Sequence, residues 1–402
     1  MVLYIKKNIF KALLIILFGF VASADAIAAV KYWVAANDGT EKVWHNSANW
    51  STQSGGSGGA GTPNSKADSA VFDSNSTVNV KLSKNVKTLY KLKVLNGYSG
   101  TINLNGKKLV TQNNMLINSG TVLVPANSKF NSGKDLYIGA NGTVTASGNA
   151  SKMYVHSNLK IHGVLTAPSG GDDRFLVRGG FNIYSGGIFY HNDGTVTLNT
   201  RWQNKNGRPT AAIKIADGPG TGRNFYNLKK TARRGIYLNG DLKIENDLSV
   251  VGKGPISAKN LSNTNYDITI GGDLYLKWGT SLDAQSGNVI FNGSSAQTID
   301  SKDSFNNVQI SNPNVSLKRA LTVTGTLTID SGATLDINGE NLTVGTLANN
   351  GNLQLKGSET LSITTKDTDS GTITYDGTAT GLAYGNAYYN LALNTSGTMT
   401  LN

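Results

Sequence analysis

Cysteine is absent from this 402-residue chain, proline numbers only 7, and just 15% of the residues are charged, against about 25% in an ordinary globular domain. Without a thiol there can be no disulfide scaffold, thiolate zinc site, cysteine nucleophile, iron–sulfur cluster or lipid-modified cysteine. Beyond the first two dozen residues no long apolar run occurs, which excludes a polytopic α-helical membrane protein. Histidine is nearly as scarce: His45, His156, His162 and His191 show no His-x-x-x-His spacing. Neither an EF-hand loop nor the Gly-Gly-x-Gly-x-Asp nonapeptide, a P-loop or a dinucleotide fingerprint is present. No cofactor and no metal is therefore expected.

The chain is instead rich in glycine, with 47, and basic, with 37 Lys+Arg against 25 Asp+Glu for a net charge of +12. Residues 1–28 read as a secretory signal: Lys6, Lys7 and Lys11 precede the apolar run Ala12 to Ala22, and small residues offer a cut after Ala24 or Ala28. Cleavage after Ala28 removes three Lys and Asp25, leaving a mature charge of 34 − 24 = +10. A secreted or cell-surface product is expected.

Glycine recurs ahead of short β-prone stretches at Gly100, Gly120, Gly142, Gly163 and Gly187, with separations of 20, 22, 21 and 24. Alternating strands such as Met115-Leu116-Ile117, Leu136-Tyr137-Ile138 and Leu159-Lys160-Ile161 lie just upstream. The pattern returns in the second half, at Gly332, Gly351 and Gly371. A period near 20 predicts an all-β solenoid, a parallel β-helix of about 20–24 residues per coil in which stacked coils bury a face none could bury alone. Superimposed are longer repeats starting near residues 69, 194, 287 and 371, marked by GTVTLNT, GNVIFNG and GTITYDG and followed by NFYNLKK, SFNNVQI and AYYNLAL, the last copy incomplete. The expected β-helix spans 76–402.

Residues 29–75 match no later coil and hold three of the five Trp. Tyr32, Trp33, Trp44 and Trp50 are expected to form a cap over the open end of the first coil. The alternative is a sugar-stacking platform. The segment YWV…W…NWS…GG…P…AVFD at 32–73 and the stretch 287–344 resemble large secreted surface proteins of Gram-negative-type bacteria, of the β-strand-repeat or autotransporter-passenger-like kind. The resemblance implies an extracellular, adhesin-like β-helix.

Charge is uneven. Residues 201–260 hold 12 Lys+Arg against 4 acids (+8), whereas 321–402 hold 2 against 7 (−5). From Val196 to Phe225 is 29 residues, against 16 from Val289 to Phe305, so part of the basic cluster lies on an enlarged loop. Arg201, Trp202, Lys205, Arg208, Arg223, Lys229, Lys230, Arg233 and Arg234 are the candidate patch for an acidic polysaccharide or a cell-surface glycan. The alternative is a solvated basic edge. No nucleic-acid motif accompanies the charge, and nucleic acid is not expected as a partner. Two other functions stand beside a non-enzymatic adhesin. One is end-to-end self-assembly into a fibril or matrix by edge pairing. The other is polysaccharide cleavage from the turn Asp172-Asp173-Arg174 with Arg178, His162 and His191. Adjacent Asp in a Gly-rich turn are ordinarily corner residues, and no enzyme is expected.

Overall fold

A computed structural model describes residues 28–148, 150–200, 211–258, 265–277, 279–378 and 381–395. The expected architecture is found. About 14 turns of parallel β-solenoid stack along one axis, and the single helical element among the described residues is the 3₁₀ turn Ser47–Asn49.

Each turn passes through three walls. The first wall runs through Ala29–Trp33, Asp68–Phe72, Lys91–Val94 and the start of Met115–Val124. The second runs through Lys42–Val43, Val80–Lys81, Thr101–Asn103 and the end of Met115–Val124. The third is one uninterrupted ladder of 15 strands from Val86–Leu89 to Asn390–Leu393.

Alternation explains which residues face in. Along Met115–Val124, Met115, Ile117, Val122 and Val124 are fully buried while Leu116, Thr121 and Leu123 are only partly so. The parallel register stacks like on like: Leu92, Met115, Leu136, Leu159, Phe181 and Ile213 form one interior column. Every such side chain contributes roughly 2 kcal/mol by leaving water. The intervals along it are 115 − 92 = 23, then 21, 23 and 22, and finally 213 − 181 = 32. The long last turn is the enlarged loop that the sequence marked.

The glycine period has a steric origin at the corner between the first and second walls. A Cβ on Gly142 would lie 2.0 Å from the carbonyl oxygen of Ile117, and one on Gly163 2.2 Å from those of Gly139 and Gly142. No side chain fits, because the backbone of the preceding turn passes directly underneath. Polar corner residues are organised as ladders. The Asn114 carboxamide oxygen accepts from Asp135 N–H, the Asp135 carboxylate from Asn158 N–H, and the Asn158 oxygen from Gly180 N–H, at 3.2, 3.0 and 2.8 Å. A second ladder climbs from Asn227 through Asp247 and Asp273 to Thr298 N–H. Such bonds satisfy backbone donors that the corners would otherwise strand.

Residues 29–75, set apart by sequence, join this stack. Ala29–Trp33 pairs in parallel with Asp68–Phe72, and Lys42–Val43 with Val80–Lys81. Trp33, Trp44 and Trp50 are fully buried against Phe72 and one another, with ring centroids 4.8 to 5.7 Å apart. Each indole N–H donates to a backbone carbonyl, of Val78, Pro63 and Trp44 respectively. Tyr32 is only partly buried on the outward side. Rings so enclosed have no free face for a sugar, which removes the platform alternative.

Candidate functional site

The enlarged turn emerges where the third wall meets the first. Its flanks are Asn199 and Thr200 at the end of Gly194–Leu198, and Thr231 to Arg234 one turn later, after Asn227–Lys230. Thr195 to Leu198 pair with Asn227 to Lys230, so the two flanks leave the wall at the same level. Asn199 Nδ2 donates to Thr231 Oγ1 at 3.0 Å and ties them together. A recess of about 410 Å³ lies between them, lined by Asn199, Thr200, Thr231, Arg233 and Arg234. Thr200 is buried, and its hydroxyl has no partner among the described residues.

The nine candidate residues separate into different environments. Arg201, Trp202, Lys205 and Arg208 lie outside the described residues. Arg233 and Arg234 are exposed at the recess, and neither forms an ion pair among the described residues. Arg223 sits at a different corner, between the first and second walls, where its Nη1 pairs with Asp217 at 3.1 Å. The Asp217 carboxyl is held below the usual range by the Gly186 N–H first, and also by Ser185 and Arg223. Lys229 points outward on the third wall and pairs with Asp172. Lys230 points the other way and is fully buried. Its ammonium donates to the carbonyls of Ala232, Gly252, Lys253 and Gly254 at 3.0, 3.3, 3.1 and 2.8 Å. Burial pushes its pKa down to about 8. Lys230 is thus removed from the surface patch: two residues beyond buried Leu228, strand alternation turns it inward.

The residues considered for cleavage are not assembled. Asp172 is engaged by Lys229, and the backbone carbonyl of Asp173 accepts from Tyr154 Oη at 3.1 Å. His162 lies stacked on Tyr184, with centroids 4.1 Å apart, and also against Tyr137. Burial and then Lys214 lower its pKa. Arg178 contacts His156 Nδ1 at 3.0 Å. His191 belongs to a separate group on the second wall: its Nε2 lies 3.1 Å from Glu245, whose other oxygen accepts from Asn224 Nδ2 at 2.8 Å. This group lines a cleft of about 710 Å³ with Tyr190, Asp193 and Lys243. Sequence reasoning missed Glu245, because 54 positions separate it from His191 and the two lie two turns apart, on either side of the turn that carries Tyr226.

Among the described residues there is no cluster of three or more metal-ligating side chains, and no helix is long and apolar enough to cross a membrane. No known protein family, curated protein or solved structure matches this chain.

Proposed function

We propose that this protein is a non-enzymatic, exported β-solenoid of the bacterial cell surface, a stiff stalk that binds acidic polysaccharide at the corner of its enlarged turn. The aromatic group at Trp33, Trp44 and Trp50 closes the start of the stalk. Export rests on Lys6, Lys7, Lys11 and the apolar run that follows. The observation that carries the binding reading is the pair Arg233 and Arg234: exposed, beside the recess, and without the carboxylate partners that occupy Arg223 and Lys229. Arginine suits the task because its planar fork meets a carboxylate or sulfate with two parallel hydrogen bonds.

Light scattering after size exclusion, on an acidic polysaccharide with and without the mature chain, tests the reading. Co-elution that weakens as salt rises, with polymer length unchanged, is expected. Arg233→Gln with Arg234→Gln should reduce it. Unchanged co-elution in that variant would sink the assignment of the corner. A shortened polymer would instead make the protein a depolymerase, and Glu245→Gln at the His191 cleft would then be the variant to assay.

A further inference from the structure

The third wall carries a second basic feature, which the charge count along the sequence did not isolate. Lys129 of Lys129–Ser132 lies in register with Lys108 on one side and Lys152 on the other. Phe175 pairs with Met153, so the residue before it, Arg174, continues the column next to Lys152. Leu109, Phe130, Met153 and Phe175 are buried, which turns the four preceding cations outward. Four successive turns therefore present one cation each, in a straight line parallel to the axis, at the strand spacing of about 4.8 Å.

This arrangement has a cost. Like charges directly opposite each other on neighbouring strands repel, and the Lys129 pKa is lowered by burial first and then by Lys108 and Lys152. Within the wall the Tyr154 ring faces the Lys129 ammonium, but no carboxylate among the described residues pairs with the column. None of the four cations forms an ion pair among the described residues, while the nearby Asp172 is engaged by Lys229. The other cations of sheet walls that face a carboxylate, such as Lys160 with Asp135 at 2.9 Å, show how readily the fold pairs them when it can.

We propose that the column Lys108, Lys129, Lys152 and Arg174 is a binding track for a linear acidic glycan bearing one anionic group per sugar. The glycan lies along the axis and sets one carboxylate or sulfate against each turn. The inference rests on the polysaccharide reading above but places a further contact on a different part of the molecule. A glycan fits better than a nucleic acid. Single strands are held by stacking bases on aromatic platforms, and the one ring beside the column, Tyr154, is covered by the Lys129 ammonium 4.6 Å from its centroid. A duplex would carry its phosphates away from a straight column as it winds.

The test uses polygalacturonate, which has one carboxylate per sugar, its fully methyl-esterified counterpart, galacturonate oligomers of increasing length, and single-stranded DNA of matched charge. Binding to the mature chain is measured at about 20 mM salt, where screening is weak. Affinity should climb with oligomer length up to four units and then level, and the esterified polymer should not bind. Lys129→Gln with Lys152→Gln should lower affinity about tenfold, from two- to five-fold per cation, and abolish the length dependence. That variant should melt no lower than the parent, since it relieves repulsion. Arg233→Gln with Arg234→Gln should keep the length dependence. If the lysine variant binds like the parent, the track is refuted, whatever the corner does. Should the lysine variant lose binding while the arginine variant keeps all of it, the track stands and the corner fails. Absence of binding by the parent overturns both, and preference for DNA overturns the glycan.

Discussion

Lys230 shows how one side chain can be misplaced by charge and correctly placed by position. As a cation in a basic segment it belongs to a surface patch; as the second residue after Leu228 in a strand it belongs to the core. The repeats point the same way, since NFYNLKK at 224–230 aligns with SFNNVQI at 304–310 and sets Lys230 opposite Ile310, which is also buried. Four backbone carbonyls rather than a carboxylate compensate its charge, and carbonyls leave no sequence signature. Lys230→Met keeps most of the stem and removes the ammonium. It should cost about 3 kcal/mol in urea unfolding, since several buried carbonyls lose their donor at roughly 1 kcal/mol each. The sign of the pH effect follows from linkage. With the folded pKa lowered from 10.5 to about 8, the unfolded chain holds more protons between those values, so this group's contribution to stability rises with pH across that window. Below pH 8 the increment is lost. The difference between wild type and Lys230→Met, measured at pH 7.5, 9 and 10, should widen as pH rises. A difference that stays flat would mean that the amine titrates normally in the folded chain.

At the scale of the element, the corner between the first and second walls was the most legible part of the sequence. Glycines at intervals of 20 to 24 mark places where one turn's backbone lies on the next, and Gly163 is the clearest case. Its absent Cβ would meet two carbonyl oxygens at 2.2 Å, and backbone oxygens fixed by neighbouring strands cannot move aside. Gly163→Ala should therefore destabilise by about 2 to 3 kcal/mol. Gly171→Ala is the control, because nothing lies within 4 Å of the position its Cβ would take; it should change stability by no more than about 0.5 kcal/mol. Equal melting temperatures for the two variants would refute the steric account of the period. The same local reading separates residues 29–75 from the stack more sharply than the pairing does. Their composition differs from later turns because Trp33, Trp44 and Trp50 fill the interior with indole where later turns use aliphatic residues and phenylalanine; two of their strands keep the parallel register, while Trp50–Ser51 pairs antiparallel with Ala29–Trp33. Sites suffered more. His191 and Glu245, or Lys108, Lys129, Lys152 and Arg174, become neighbours only when the length of every intervening turn is known.

For the whole molecule, stacking makes stability a sum over neighbouring turns rather than a property of one core. A complete turn should then be removable without loss of fold, provided the cut respects the register. Residues 321–341 form such a unit: Leu321 pairs with Leu342, Thr322 with Thr343 and Val323 with Val344. Deleting these 21 residues (341 − 321 + 1) brings Leu342 into the place of Leu321, Val344 above Phe305 and Leu347 above Val308, which Val323 and Leu327 now cover. Gly345 replaces Gly325 at the corner, and Leu353 replaces Leu335 above Val315 on the third wall. The shortened chain should keep its β-sheet circular dichroism per residue, and its urea m-value should fall by about one part in fourteen, in proportion to the surface no longer buried. Removing only 332–341 is the informative contrast. It removes the third-wall strand Thr334–Asp336 and draws Leu342–Asn349 into its place out of phase, so apolar columns face hydroxyl columns. That variant should lose cooperative unfolding or fail to fold. If both deletions behaved alike, register between walls would not be what holds the stack together, and the periodicity would have to be explained by the chemistry of single strands.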